Sequence, residues 1–209
     1  MRCRPLPNPA RCCWMRGWIE LTPGFPVFLV LLRYFAPGGA FWPFLAAMAV
    51  HELAHTAMLL LLGGKIEGLR LGFAQLTLRT GLLSLKTELT ATAAGPVMNL
   101  LCTAALGRTA PEFAAASLLL GAFNLLPLWP LDGGRILRSA LTARFGDRGE
   151  AAAYATGLAL SGALLLAAVY MAVRLEMGVW PVLTALLLVC RLRQMQRREK
   201  AVAFPGTRR

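Results

Sequence analysis

The chain holds only two histidines, His51 and His55, and they bracket a glutamate in His51-Glu52-Leu53-Ala54-His55. On an α-helix, residues i and i+4 lie about 40° apart around the axis and one turn apart along it. Both imidazoles can then reach one metal ion from the same face. Glu52 sits one residue along, close enough to touch a water beside the ion without being forced to be a ligand. That is the arrangement of a zinc hydrolase with a carboxylate general base. The competing reading is a buried histidine pair satisfied by hydrogen bonds. The surroundings weigh against it, because the flanking residues are apolar over a length that could cross a membrane. Ionisable groups there cost about 2.5–3.5 kcal/mol each on insertion scales, so they are rarely idle.

A catalytic zinc site uses three protein ligands and keeps a fourth position open. No third histidine exists, so an acid must serve. Of the ten acidic residues only Asp132 joins an apolar approach to a bounded turn, in Asn124-Leu125-Leu126-Pro127-Leu128-Trp129-Pro130-Leu131-Asp132-Gly133-Gly134. Pro127 and Pro130 break a helix, and the glycines let the backbone turn sharply. Broken helices at membrane depth are tolerated where they line a cavity. On the residues alone the lesser, competing reading of Asp132 is a helix cap ahead of Ile136-Leu137.

The elements that must carry these groups are membrane spans. Hydrophobic residues make up 57% of the chain and charged ones 15%, with a mean hydropathy of +0.58; soluble domains carry about 25% charged residues. Six spans are expected, at 21–36, 41–62, 89–106, 113–128, 151–173 and 178–190, in an all-α polytopic membrane protein. The HELAH residues fall in the second, and the first, fourth and sixth are shorter than the ~20 residues of a straight crossing. Between the second and third spans, residues 64–88 alternate apolar and polar with glycine breaks, which reads as a small β-hairpin insertion. Free strand edges there could pair with an extended peptide.

The formal net charge of +12 suggests nucleic acid at first sight. No nucleic-acid motif accompanies it, and the basic residues sit between and after the apolar runs, so no nucleic-acid partner is expected. They act as topology signals. With six spans, all of the 22 lysines and arginines except Arg33, Arg108 and Arg174 fall on the side of the termini. That places both termini in the cytosol, with a basic N-terminal tail over 1–20, a membrane domain over 21–195 and a basic C-terminal tail over 196–209. The first twenty residues lack the apolar region of a signal peptide. The five cysteines are odd in number and without zinc-finger spacing, so free thiols are expected.

HELAH and Leu131-Asp132-Gly133, with Gly95-Pro96-Val97-Met98-Asn99 between them, resemble the motifs of the site-2 protease family of intramembrane metalloproteases. Ala93-Ala94 and Asn124-Leu125-Leu126-Pro127 are similar to the same family. The resemblance covers about residues 40–140. It implies a three-helix catalytic core that cuts protein substrates in or near the lipid bilayer. His51, His55 and Asp132 would bind one Zn2+ ion, and Glu52 would be the catalytic acid and base. Asn99, with Gly95 and Pro96, is implied as a group positioning the substrate backbone; an interhelical hydrogen bond is the alternative for Asn99. The stretch from His55 to Gly95 is too short for a PDZ domain, so the chain resembles the PDZ-less branch of the stage IV sporulation protein FB. It ends soon after the sixth expected span, so the nucleotide-sensing CBS domain common in that branch, and nucleotide regulation with it, are not expected.

Two other classes compete with a protease of the bacterial cell membrane. A non-catalytic scaffold of the same fold would have no need of Glu52. A metal transporter would use HELAH as a transit site, but a tight His/His/Asp set is a trap more than a path. The substrate would be a membrane-spanning or membrane-associated protein. A homo-oligomer or a regulatory membrane partner is compatible with the sequence, and neither is identified by it.

Overall fold

The computed structural model describes residues 19–35, 38–72, 75–81 and 83–174, with single positions at 186, 189 and 190. The chain order is β1 (Ile19–Leu21), α1 (Gly24–Phe35), α2 (Phe41–Leu61), β2 (Ile66–Gly72), β3 (Gln75–Thr80), α3 (Leu85–Leu106), α4 (Pro111–Asn124), α5 (Asp132–Phe145) and α6 (Asp147–Arg174). The described chain is mostly helical.

Local chemistry sets the boundaries of the helices that carry the site. α2 stops at Gly63-Gly64: Gly63, at φ +78°, donates to the Leu60 carbonyl, and Gly64 donates to Leu59 O at 2.9 Å. This pair of bonds satisfies the last carbonyls and turns the chain into β2. α3 starts where Ser84 Oγ accepts from the Thr87 backbone N–H at 3.1 Å. α4 begins on Pro111, whose missing N–H costs nothing at that position. It ends at Asn124, ahead of Pro127 and Pro130, so the apolar run 113–128 is not one continuous helix. After this loop, which contains a cis Trp129–Pro130 bond, the chain enters α5 at Asp132.

The strands form one sheet in the order β1-β2-β3. β2 and β3 are antiparallel, with Leu69 opposite Leu78 and an irregularity between Ile66 and Gly68. β1 adds in parallel, Ile19 opposite Leu69, and Thr22 Oγ1 continues the contact by donating to Leu71 O at 2.9 Å. The sheet therefore takes residues from ahead of the first helix, where the sequence pointed only to a tail and a span.

α2, α3 and α4 pack on one another, and α5 joins α3 to α6. The buried residues at these contacts are mostly small: Ala47, Ala54, Ala91, Ala114, Ala116, Ser117 and Ser161. Large apolar side chains point outwards, among them Leu53, Leu61, Leu101, Leu119, Leu166 and Val173. In water this would be inside out. In lipid it is expected, because tails solvate leucine as well as another helix does, and close backbone approach drives the packing.

Three helices, α2, α3 and α6, are long and apolar enough to cross a membrane, and the protein is an integral membrane protein. Among the described residues, three of the six expected spans are helices of crossing length. With 12 residues α1 reaches about 18 Å, and with 14 residues α4 reaches about 21 Å, at 1.5 Å per residue; the hydrocarbon core is about 30 Å thick. The sixth expected span, 178–190, lies almost wholly outside the described residues, as do the two basic tails. The basic stretch after 128, read as a loop, is instead the helix α5, with Arg135, Arg138 and Arg144 along it.

Candidate metal centre

His51 and His55 lie on α2 one turn apart, their rings edge to face with centroids 4.6 Å apart. Asp132, the first residue of α5, brings its carboxylate between them. Asp132 Oδ2 is 3.1 Å from His51 Nε2 and 3.2 Å from His55 Nε2, and the two Nε2 atoms are 3.1 Å from each other. The N-cap position of α5 falls on Leu131, without a side-chain cap bond, and the Asp132 side chain turns towards the histidines instead. The structure therefore brings together His51, His55 and Asp132, a set that could hold a metal ion.

The donor set fits zinc. Three donors at about 2.0–2.1 Å from a tetrahedral ion stand about 3.3 Å apart, close to the triangle observed. Two imidazoles and one carboxylate with no bulky cation between them also converge on one buried point; His51 is 4% and Asp132 8% exposed. Burial alone would raise the Asp132 carboxyl. The hydrogen bonds and charge of the two imidazoles outweigh it and hold the group at about 2, so it stays ionised.

The histidine rings are oriented from α3. His55 Nδ1 donates to the Ala91 carbonyl at 2.8 Å, which leaves Nε2 with its lone pair facing the cluster. His51 Nδ1 lies 3.3 Å from the Asn99 side-chain amide, and Asn99 is fully buried. A Cβ on Gly95 would meet His55 Nε2 and come within 2.9 Å of His51 Cε1. Gly95 thus clears room for the rings, and it faces the histidines. Pro96 is fully buried inside α3. Gly133 and Gly134 serve α5 in the same way: a Cβ on Gly134 would come within 2.5 Å of Leu128 O, so the first turn of α5 lies against the 125–129 loop. Asn124 spends its amide on Leu120 O at 3.0 Å.

Glu52 is half-buried on α2 beside His51. Arg135 approaches the other oxygen of Asp132 at 3.8 Å, half-exposed. Sequence reasoning missed the Ala91 carbonyl, a backbone group that leaves no trace in residue type. The clearance role of Gly95 was also missed; its place one turn beyond Ala91 was the available signal.

Residues 109–168, from the start of α4 through most of α6 and including Asp132, match the family model of peptidase family M50. The chain is also 32% identical to the zinc metalloprotease Rip3 of Mycobacterium tuberculosis, over 80% of this chain and 49% of that protein. Over that stretch the chain resembles peptidase family M50. A further member-like relative is the zinc metalloprotease MJ0392 of Methanocaldococcus jannaschii, at 30% identity over 61% of this chain and 44% of the relative. The chain spans about half the length of the curated relatives it matches. Among solved structures, the site-2 protease from Methanocaldococcus jannaschii superposes with a TM-score of 0.62 at 24% identity, over 84% of this chain and 89% of that one, an agreement of fold.

Proposed function

We propose that this chain is a member of peptidase family M50 and an intramembrane zinc endopeptidase, hydrolysing a peptide bond in or near a membrane segment of a protein substrate. The observation that carries the reading is the convergence of His51 Nε2, His55 Nε2 and Asp132 Oδ2 at 3.1–3.2 Å, beside Glu52, on a helix apolar enough to cross a bilayer. The names of the relatives, both zinc metalloproteases, support it.

His51, His55 and Asp132 are the ligands of one zinc ion. Bound there, zinc supplies Lewis acidity that acidifies water and polarises a carbonyl. Glu52 takes the proton from the attacking water and returns it to the leaving amine as the peptide bond breaks. Ala91 O keeps the His55 ring in its ligating orientation, and Gly95 leaves both rings room. The edge of β3, paired on one side only among the described residues, offers main-chain groups to an extended substrate. The basic residues between and after the apolar runs support a reading with both termini in the cytosol of a bacterial cell and the site open towards the cytosolic half of the bilayer.

The test is cleavage of a membrane-spanning substrate by protein reconstituted with zinc. Glu52→Gln is expected to keep its zinc and to lose cleavage by about 10²–10⁴-fold. Equal cleavage by wild type and variant would refute the mechanism, and full zinc loading of Asp132→Ala would remove Asp132 from the ligand set.

A further inference from the structure

A cavity of about 400 Å³ opens between the start of α3, the 125–129 loop and α5, with Leu85, Glu88, Trp129, Arg138, Ser139 and Thr142 in its wall. That is the size of an ordinary ligand pocket, about 300–1,000 Å³. Its place in the chain ties it to the metal centre. Glu88 stands three residues, about 4.5 Å of helix rise, before Ala91, whose carbonyl orients His55. Trp129 stands three residues before Asp132. Two of the segments that shape the His/His/Asp cluster therefore meet again at this wall. Upstream, β3 ends at Thr80 and α3 opens at Leu85, so at most about 18 Å of chain separates the strand from the cavity.

The wall carries donors that the protein itself does not use. Thr56, Thr103, Thr156 and Ser161 each donate their hydroxyl to the carbonyl one turn back, at 2.7–3.0 Å. Thr142 does not. Its Oγ1 is buried without a hydrogen-bond partner among the described residues, and so is Trp129 Nε1. Each unpaired group lowers stability, and an apolar side chain of the same shape would not. The charged groups beside them are engaged: Arg138 donates to Glu150 at 2.8 Å and lies over the Trp129 ring, and Ser139 donates to Glu88 at 3.0 Å. A carboxylate accepts more than one hydrogen bond, so Glu88 keeps acceptor capacity. Two unused donors beside an acceptor match a polypeptide main chain, which offers one N–H and one C=O per residue. A phosphate fits less well, since it would stand beside the Glu88 carboxylate while Arg138 is turned to Glu150. We propose that this cavity is a subsite for the main chain of the protein substrate. An extended stretch flanking the scissile bond lies there, its carbonyls on Trp129 Nε1 and Thr142 Oγ1 and an N–H on Glu88.

The inference rests on the endopeptidase reading above, and the test separates the two. The full chain, loaded with zinc, is placed in phosphatidylcholine nanodiscs with a reporter of one polyleucine span and an uncharged glycine–threonine tail. Cleavage gives kcat and KM. A photocrosslinker at Ala143, an exposed residue of the same wall, reports occupancy in Glu52→Gln, independently of cleavage. Thr142→Val is expected to melt no lower than wild type, to keep its zinc and its kcat, and to raise KM about 2–10-fold, the worth of one hydrogen bond. Trp129→Phe is expected to raise KM by a similar factor. The crosslinker is expected to capture the reporter. Thr142→Val with the KM of wild type, or no capture of the reporter, overturns the inference; capture of lipid in its place overturns it and assigns the cavity to the bilayer. A reporter captured but left whole by wild type overturns the endopeptidase reading and upholds the peptide site, whereas cleavage without capture does the reverse. Should Trp129→Phe fail to fold, Thr142→Val and the crosslinker still decide.

Discussion

Replacing Gly95 with alanine adds one methyl group at the point where α3 faces the two imidazoles. That methyl would lie 2.9 Å from His51 Cε1 and 2.5 Å from His55 Cε1, against an ordinary carbon–carbon contact of about 3.5–4.0 Å. One side must give by about 1 Å. If the rings give, His55 Nε2 leaves a position that metal coordination fixes to about 0.2 Å. If α3 gives, it withdraws the Ala91 carbonyl that orients His55. Either path costs about 1–3 kcal/mol of overpacking in the metal-free protein. The loss in zinc affinity is expected to exceed about 100-fold, since perturbing an outer partner of a ligand already costs 10–100-fold. The assay is zinc content after dialysis against a chelator of graded strength, beside the melting temperature without metal. A Gly95→Ala protein that holds one zinc with wild-type affinity would show that the rings do not lie against α3, and the account of the site would fall.

Gly134→Ala tests the other half of the centre. Its Cβ would press on Leu128 O and Trp129 N, both at 2.5 Å. It is expected to lift the first turn of α5 and Asp132 with it, lowering both stability, by about 1–3 kcal/mol, and zinc retention; unchanged zinc retention by the variant would contradict this. A pH series gives a further check. Protons compete with zinc for the imidazole Nε2 atoms, so apparent zinc affinity should fall as the pH is lowered. Asp132 stays ionised down to about 2 and should add no step between pH 4 and 7. Zinc loss confined to pH below 4 would assign the release to the carboxylate instead.

The histidines and Asp132 were legible because their chemistry is costly in an apolar setting, and helical spacing alone puts His51 and His55 together. The break at Pro127 and Pro130 was legible too. What the sequence hid was mostly backbone. The carbonyl of Ala91 has no signature, and strand β1 is three residues whose pairing with Leu69–Leu71 is a long-range event. Helix α5 was obscured by its charge: Arg135, Arg138 and Arg144 read as a basic loop, whereas on the helix Arg138 reaches Glu150 at 2.8 Å and covers the Trp129 ring. Of the six expected spans, α2, α3 and α6 have the length of a crossing, while α1 and α4 are the short runs the sequence already marked. Length in residues, and not apolarity alone, decides whether a helix reaches across the hydrocarbon.

Asp132, the proposed third ligand, comes 77 residues after His55 in the chain, which would give a bound ion a second consequence. A bond from Asp132 back to α2 closes a loop of nearly eighty residues, as a disulfide at those positions would. For a free chain, the entropy of that closure corresponds to about 4–5 kcal/mol. Here the helices between remain threaded through lipid, which already confines the unfolded chain, so the gain is smaller. A metal bound there would be a staple as well as a reagent: it would tie α5, too polar and too short to hold its place by crossing the bilayer, to the helix that carries both histidines.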